Sequence, residues 1–273
     1  QEYRRGVPQT GVEEIGETTE TGTTTFLMPD ETIFGTLDYD YITLAQRFRE
    51  ICSLTKGLEI CFRDERSDRE TSFYFEGGIA SFVHHINKDR PVLHKPIYLH
   101  KEANGVDVEV ALQYNEGFAE TALSFANCIN TQDGGSHLTG FRSGLTRVIN
   151  DATRKLALLK DGDTNLIGED AREGLVSIVS VKLAEPQFEG QTKGKLGNPE
   201  VKSLVESVVV EELGQYLDEH PQDTRRIIEK CITSSRAREA AKKARELVLK
   251  KTSLDGGALP GKLAECSERD PSK

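Results

Sequence analysis

Apolar and polar residues alternate most regularly in the stretch from Val106 to Tyr114, where every second side chain is apolar and most of those between are charged or polar. Successive side chains of a strand face opposite sides of a sheet, so this pattern is typical of a strand with one buried face. We therefore predict a half-buried strand over Val106–Tyr114.

Shorter runs predict further strands. An alternating pair of segments on either side of a polar turn indicates a β-hairpin. A continuous apolar run over 175–183 leaves almost no polar face, as in a fully buried strand. Near the start of the chain, the β-branched run at 23–27 ends at Pro29-Asp30. The expected strands lie at residues 23–27, 58–62, 73–75, 119–129 and 175–183.

Helices are predicted where apolar residues recur every three or four positions. They lie at residues 42–54, 141–156 and 199–213, and from Pro221 onward. Asn198-Pro199 is a strong helix start, since it combines an N-cap residue with proline at the first helical position. The last helix carries a narrow alanine stripe that suits close packing against another helix. The stripe consists of Ala237, Ala240, Ala241 and Ala244, continued by Leu247 and Val248. The irregular order of strands and helices predicts an α/β (α+β) fold with a long C-terminal helix.

The net charge of −10 is unevenly distributed. Residues 221–251 contain ten Lys/Arg and four Asp/Glu, a net charge of +6, which leaves −16 for the rest. Such a basic helix suits sequence-independent contact with DNA phosphates, and the alternative is a solvated face opposite the alanine stripe. The candidate DNA-binding residues are Arg236, Arg238, Lys242, Lys243 and Arg245.

Several classes of protein are disfavoured. The sequence contains no HExxH, GxSxG, Walker A or helix-opening GxGxxG signature. Five cysteines without CxxC spacing argue against a disulfide framework, and no apolar run is long enough to span a membrane. We expect a reducing, cytoplasmic location and no membrane partner. Four histidines fit no standard zinc spacing, so we expect surface histidines and no metal site. They are His84, His85, His94 and His100.

Two polar clusters remain. Glu169, Asp170 and Glu173 precede the buried strand at 175–183, and we interpret them as solvated charge or as a complement to a helix dipole. The loop at 189–197, EGQTKGKLG, places two lysines among glycines. Such a loop can wrap phosphate oxygens with side chains and backbone amides, although most loops of this kind are solvated turns.

Ten short runs resemble, in order and spacing, the B subunit of bacterial DNA gyrase, a type II DNA topoisomerase. They are YRRGVPQ, TGTTTFLMPD, LAQRFRE, YFEGGIASFV, VEVALQYNEGF, DGGSHLTGF, EDAREGLVSIVSVK, QFEGQTKGKLGN, RAREAAKKARE and LPGKLAECSERDP. The resemblance covers essentially the whole chain. The B subunit of topoisomerase IV shares most of these runs, and the form GKLGN favours gyrase.

The resemblance implies a particular domain order. It places the C-terminal edge of a GHKL ATPase domain at 1–36, a transducer domain at 37–220, a basic helical arm at 221–258 and the start of a TOPRIM domain at 259–273. The transducer is expected to be a two-layer, ribosomal-protein-like βαβ domain with a left-handed crossover, against the general rule. Because the chain opens at Gln1 and lacks the family's catalytic glutamate and metal ligands, we expect an internal piece that is inactive alone.

The resemblance also implies sites and partners. Thr23 matches the threonine that hydrogen-bonds the adenine base. Gln191 and Lys193 match the transducer residues that reach the γ-phosphate of ATP, with Lys195 a weaker candidate for that role. ATP is the implied cofactor, with Mg²⁺ held by ligands outside this chain. The implied partners are DNA, the gyrase A subunit in an A2B2 heterotetramer, and a second B subunit on ATP binding.

The implied function is to couple ATP binding and hydrolysis to DNA strand passage and negative supercoiling. The alternatives are a topoisomerase IV B subunit, which decatenates DNA, and a non-enzymatic DNA-clamping or dimerisation module.

Overall fold

Strands and helices follow one another in the irregular order that the α/β pattern predicts. The structure is a computed structural model that describes residues 1–158 and 164–255, with side chains described to residue 248. The strands are β1 (Tyr3–Arg4), β2 (Val7–Pro8), β3 (Glu59–Asp64), β4 (Arg69–Tyr74), β5 (Ile97–Ala103), β6 (Val106–Tyr114), β7 (Thr121–Ala126), β8 (Ile129–Asn130), β9 (Leu175–Lys182), β10 (Phe188–Glu189) and β11 (Lys195–Leu196). The helices are α1 (Tyr41–Leu54), α2 (Ile79–Ile86), α3 (Ser136–Lys155), α4 (Gly168–Arg172), α5 (Pro199–Val208), α6 (Gly214–Glu219) and α7 (Pro221–Asp255), with a π-helical segment, Val209–Leu213, joining α5 to α6.

The central sheet has five strands in the order β5-β6-β9-β7-β8. β6 pairs antiparallel with β5 and β9, and Val110 of β6 lies opposite Val179 of β9. β9 pairs parallel with β7, so the chain must cross between them, and α3 makes that crossover. The predicted strand at 119–129 is divided into β7 and β8, and the strand at 175–183 is confirmed as β9.

Helices cover both faces of this sheet. One face packs on α3, α5 and α7 in the main core, which includes Val108, Val110, Leu112, Val179 and Val181. The opposite face packs on α2 through Ala111, Phe125, Val176 and Ile178. The two-layer expectation is therefore too simple, because α2 adds a layer on the second face.

The prediction that β6 is half-buried was wrong for the same reason. Its polar residues Glu109 and Gln113 are also buried. Glu109 accepts hydrogen bonds from Tyr98 and Lys182, and Gln113 bonds to Asn87 and to the carbonyl of His94. Buried polar side chains are tolerated when their hydrogen bonds are made. Alternation thus located the strand but not the exposure of its second face.

Two further predicted elements are confirmed. α1 begins at Tyr41 after Asp40, whose carboxylate accepts a hydrogen bond from the Thr43 amide, as an N-cap residue does. The predicted hairpin is β3–β4, in register from Glu59 opposite Tyr74 to Asp64 opposite Arg69. It packs on α1 through Phe73, with Phe48 and Phe62 in contact.

The strand expected at 23–27 was wrong. Within the described part of the chain, residues 9–40 form no strand, and Phe26, Leu27 and Met28 are exposed. A strand needs a neighbour to accept its backbone hydrogen bonds, and β-branched residues alone do not supply one. The short β1–β2 hairpin near the start pairs only with itself.

The helix α7 is buried in its first part and exposed in its second. Ile227, Ile228 and Cys231 lie in the main core. The side chains from Ala240 to Val248 are exposed, so the predicted close packing of the alanine stripe on another helix is wrong for the described residues. Residues 259–273, the expected TOPRIM start, lie outside the described residues. No described helix is both long enough and apolar enough to cross a bilayer.

Candidate functional site

The lysine loop, which we define as residues 190–195, connects β10 to β11. The two strands pair antiparallel, with Glu189 opposite Lys195. The Lys193 amide donates to the Gly190 carbonyl at 3.4 Å, which closes a turn. Gly190 and Lys193 have φ values of 74° and 55°. A positive φ is uncommon for a residue with a side chain, so the fold holds Lys193 in a restricted conformation.

Backbone hydrogen bonds attach the lysine loop to the segment that leads into α3. The Asp133 amide donates to the Gly194 carbonyl at 2.9 Å, and the Leu196 amide donates to the Gly134 carbonyl at 3.1 Å. Gly135 approaches Leu196 so closely that an added Cβ would lie 2.5 Å from the Leu196 carbonyl oxygen. The loop therefore rests directly on the N-terminal end of α3.

The charges in the loop are not equivalent. The Lys195 ammonium lies 3.1 Å from a carboxylate oxygen of Glu189, which neutralises much of its charge. Lys193 lies 5.8 Å above the Phe188 ring and, among the described residues, has no carboxylate partner. Gln191 is exposed beside it. Lys193 thus presents an uncompensated ammonium at the tip of an anchored loop, where a phosphate group can accept its hydrogen bonds.

The structure does not bring Thr23 to this loop. Thr23 is exposed and outside any strand. No side-chain hydrogen bond in the described ranges joins residues 21–28 to residues 189–197. A nucleotide contact shared by Thr23 and Lys193 therefore remains a prediction.

The basic helix α7 is tied to the domain by three acidic contacts. Lys230 lies 3.8 Å from Glu173, and the Ser234 hydroxyl donates to Glu173 at 2.7 Å. Arg238 donates from Nε and Nη2 to the two carboxylate oxygens of Asp170, at 2.8 and 3.0 Å. Asp170 is 1% exposed, so its interpretation as solvated charge was wrong, but it lies in the first turn of α4, as the alternative of a complement to a helix dipole expected.

Opposing effects act on the Asp170 carboxyl. Burial raises its pKa, but hydrogen bonds from Arg238 and from the Ile167 amide outweigh burial, and the net pKa lies below the ordinary value. Asp170 is therefore ionised at neutral pH and carries the charge that holds Arg238.

The other candidate DNA-binding residues have no such partner. Within the part of the chain that the structure describes, no carboxylate pairs with Arg236, Lys242, Lys243 or Arg245, and all four are exposed. The predicted set of five therefore divides into one paired arginine and four unpaired cations.

The histidines were expected at the surface, and His94 is an exception. Its ring is buried, with Nε2 accepting from the Tyr114 amide at 3.0 Å and Nδ1 donating to the Lys95 carbonyl at 2.6 Å. Burial lowers its pKa, so the ring is neutral. The described residues contain no cluster of side chains suited to a metal ion.

Sequence analysis missed the residues that support the two candidate regions. The Gly134-Gly135 pair precedes α3 in the sequence, but no local pattern predicts its contact with Leu196, which joins segments about sixty residues apart. Asp170 and Arg238 are equally remote, with 68 residues between them. A glycine pair before a helix hints at close backbone approach, but no spacing in the chain signals the ion pair.

Comparison with known proteins matches this architecture. The family model for DNA gyrase B matches residues 78–247. The gyrase B subunit of Halalkalibacterium halodurans is 52% identical over all of this chain, which spans 43% of that relative's length. The Bacillus mycoides gyrase B sequence is 49% identical, and the chain covers 68% of it.

Solved structures agree. The 43K ATPase domain of Thermus thermophilus gyrase B, in complex with an aminocoumarin, is 40% identical with a TM-score of 0.71, over 80% of this chain and 59% of that one. The topoisomerase IV ATP-binding domain of Francisella tularensis is 25% identical with a TM-score of 0.64, over 77% of this chain and 57% of that one. Because the gyrase B family model matches more than half of the residues and gyrase B relatives align along the whole length, this chain belongs to the DNA gyrase B family.

Proposed function

We propose that this chain couples ATP binding and hydrolysis to DNA strand passage and negative supercoiling within a gyrase B subunit. The lysine loop is the nucleotide contact, and α7 carries the response toward DNA. Family membership supports this function. The chain spans less than half of the H. halodurans relative, so the ATP- and DNA-cleaving residues are assigned to other parts of the subunit.

One observation carries the proposal: of the two lysines in the loop, only Lys193 lacks an internal carboxylate. A cation beside Glu189, as Lys195 is, gains less from a phosphate because it must share its hydrogen bonds. Among the described residues, Lys193 would give up only its contact with the Phe188 ring, whose centroid lies 5.8 Å away. We therefore assign the γ-phosphate contact to Lys193, with the Gln191 amide as an additional donor and Lys195 as a weaker candidate.

Because the lysine loop is attached to the start of α3, the loss of the γ-phosphate can be passed on to the rest of the domain. Lys193 binds a γ-phosphate oxygen of ATP while Gly194 and Leu196, which follow it, stay hydrogen-bonded to Asp133 and Gly134 before α3. When the γ-phosphate leaves, Lys193 loses its charge partner and the loop loses its tie to the neighbouring ATPase domain. α3 and the sheet packed on it then move relative to that domain as a rigid body. Thr23 is proposed to contact the adenine base.

The remaining family features belong to the same proposal. They are the domain boundaries at 36, 220 and 258, the left-handed β7–α3–β9 connection, Mg²⁺ bound with ATP, assembly with the A subunit, self-association of B subunits on ATP binding, and a cytoplasmic location. DNA contact is proposed for Arg236, Lys242, Lys243 and Arg245, because their charges are exposed and uncompensated.

Two alternatives are weaker. Decatenation by a topoisomerase IV is disfavoured, since the two curated relatives compared above are gyrase B subunits at about half identity. A non-enzymatic clamping module predicts that nucleotide turnover is indifferent to Lys193.

Replacing Lys193 by alanine in the complete subunit tests the proposal. We expect nucleotide binding to persist, because adenine and metal contacts lie elsewhere. Turnover is expected to fall by about 100-fold or more, as when a donor to developing negative charge is lost. Lys195→Ala is the matched control and should retain turnover within a few-fold. Normal hydrolysis by Lys193→Ala would refute the assigned role.

A further inference from the structure

We propose that Arg238 is a positioning residue that fixes, through Asp170, the point and direction at which α7 leaves the domain. It deepens the proposed function, on which it rests: the same helix that carries the DNA-facing cations is aimed by an arginine that does not touch DNA.

The geometry commits the Arg238 guanidinium to Asp170. Nε and Nη2 form parallel hydrogen bonds of 2.8 and 3.0 Å to the two carboxylate oxygens, which is the fork that arginine makes with a carboxylate. Nη2 also lies 3.4 Å from the Ser235 hydroxyl. The Asp170 side chain is 1% exposed, while that of Arg238 is 34% exposed. Turning Arg238 toward a phosphate would leave a buried carboxylate without its counterion, which proteins strongly disfavour.

Arg238 is the last of three contacts on one face of α7. Lys230, Ser234 and Arg238 are spaced four residues apart, so they lie along the same side of the helix. Lys230 and Ser234 contact Glu173, and Arg238 contacts Asp170. Beyond this point the described side chains from 240 to 248 are exposed. Arg238 therefore stands where the held part of α7 meets the exposed part.

Asp170, which holds Arg238, is itself held firmly in the fold. Asp170 lies in α4, which leads through Gly174 into the central strand β9. An added Cβ at Gly174 would lie 2.5 Å from the Asn115 carbonyl oxygen and 2.6 Å from Lys230 Cε, so this joint is tightly packed. The point at which α7 leaves the domain is therefore held in place by the central strand β9.

A second ion-pair group connects α4 to the helix beneath the lysine loop. Arg172 of α4 contacts Glu120 at 3.1 Å, and Glu120 contacts Arg142 of α3 at 2.8 Å. α4 is thus held between α3, which starts at the lysine loop, and α7. A displacement of α3 has a continuous set of packed elements through which to reach the α7 exit.

The length of α7 beyond Arg238 makes the contact with Asp170 important. We call the Arg238–Asp170 ion pair the clamp. At about 1.5 Å of rise per residue, the ten residues from Arg238 to Val248 extend about 15 Å past it. A small change of angle at Arg238 becomes a large displacement of Lys242, Lys243 and Arg245. Correct placement of these cations requires a rigid exit.

The test uses the complete B subunit assembled with the A subunit. Arg238→Gln, Asp170→Asn and the double variant are compared with Lys242→Gln, a matched charge removal one turn further along α7. Asparagine at 170 can still accept the hydrogen bond from the Ile167 amide, so α4 keeps that contact. Supercoils introduced per ATP, the salt dependence of DNA affinity, and amide hydrogen exchange in α7 are measured.

We expect Arg238→Gln and Asp170→Asn each to lower supercoils per ATP several-fold, with the double variant no worse than either. Arg238→Lys, which keeps the charge but not the fork, should be intermediate. The α7 cations stay on the chain in these variants and still reach DNA phosphates, so the magnitude of the slope of log affinity against log salt should stay at the wild-type value. Lys242→Gln, which removes one phosphate contact, should reduce that magnitude by about 0.9.

Other outcomes would overturn the clamp. Suppose that Arg238→Gln reduces the magnitude of the salt slope by about 0.9 and that Asp170→Asn leaves the slope unchanged. Arg238 would then be a phosphate contact. Hydrogen exchange separates this proposal from the function on which it rests. Faster exchange of α7 amides after residue 230 in both clamp variants, and not in Lys242→Gln, supports the clamp even if DNA coupling fails in the wild type. Unchanged exchange refutes it.

Discussion

The lysine loop and the outer part of α7 are both exposed and cationic, but they are held in different ways. Backbone hydrogen bonds to Asp133 and Gly134 fix the loop close to its lysines. Side chains fix α7: Ile227, Ile228 and Cys231 hold its first part in the core, and Arg238 on Asp170 holds the point beyond which its outer cations lie. We expect the loop to depend on glycine geometry, and the helix to depend on charge.

Both regions also contain one neutralised cation among unpaired ones. Lys195 faces Glu189 as Arg238 faces Asp170, whereas Lys193 and Lys242 have no carboxylate partner among the described residues. The two pairs differ in burial: Glu189 is exposed, and Asp170 is buried. An exposed pair contributes about 0–1 kcal/mol, so it modulates a site, whereas a buried carboxylate makes its partner structurally necessary.

Among the substitutions that test how the loop and the helix are held, Gly135→Ala should have the largest effect on stability, because it disturbs the seat of the lysine loop. The added Cβ would lie 2.5 Å from the Leu196 carbonyl oxygen and 2.6 Å from its nitrogen, at a φ of 142°. Backbone must shift on both sides, and we expect a loss of about 4 kcal/mol in the free energy of unfolding, measured with urea. The control, Gly105→Ala, has φ 73° but open space and should cost about 1 kcal/mol. Equal costs would mean that the loop is not seated on Gly135.

As the pH falls, the packing of His137 next to the lysine loop should be lost at a higher pH than the Arg238–Asp170 ion pair of α7. His137, in the first turn of α3, is buried, and burial lowers its pKa from 6.5 to about 4. The unfolded chain binds this proton first, so stability is lost as pH falls from about 6.5 to about 4, by about 3 kcal/mol in total. The pKa of Asp170 lies below its ordinary 3.8, so the ion pair with Arg238 persists through that range.

Urea unfolding at a series of pH values checks this expectation. His137→Gln should remove the share of the pH dependence between 6.5 and 4 that arises at α3. His94→Gln is the comparison variant: His94 is also buried with a lowered pKa, so its replacement should remove a separate share, which arises at β6. A wild-type slope that survives His137→Gln unchanged would assign the acid sensitivity to another group.

Local patterns predicted the elements of this fold better than their surroundings. The period of two in Val106–Tyr114 and the helical spacing of apolar residues at 42–54 depend on neighbours in the chain, and β6 and α1 follow them closely. Burial of Glu109 depends on Tyr98 and Lys182, and pairing at 23–27 depends on a strand that the described chain does not offer. Such long-range contacts leave no periodic trace.

The candidate sites show the same division. The resemblance pointed to Lys193, and its exposure fits that prediction, but only the contact with Glu189 distinguishes Lys195 from it. Arg238 and Lys242 are indistinguishable as basic residues of one helix. Their difference arises because α4 folds against α7 and brings Asp170, 68 residues away, within hydrogen-bonding distance of one of them.

The smallest effect on stability should come from the outer helix. A triple variant that replaces Lys242, Lys243 and Arg245 by glutamine removes three exposed, unpaired charges. We expect the free energy of unfolding to change by no more than about 0.5 kcal/mol. DNA affinity should fall, and its salt dependence should lose about 0.9 in slope for each phosphate contact removed. Arg225 is an exposed residue in the first part of α7, paired with Glu229, and Arg225→Gln should leave that slope unchanged. If the triple variant keeps the full slope, its cations are a solvated face, and the outer part of α7 serves the subunit by its direction alone.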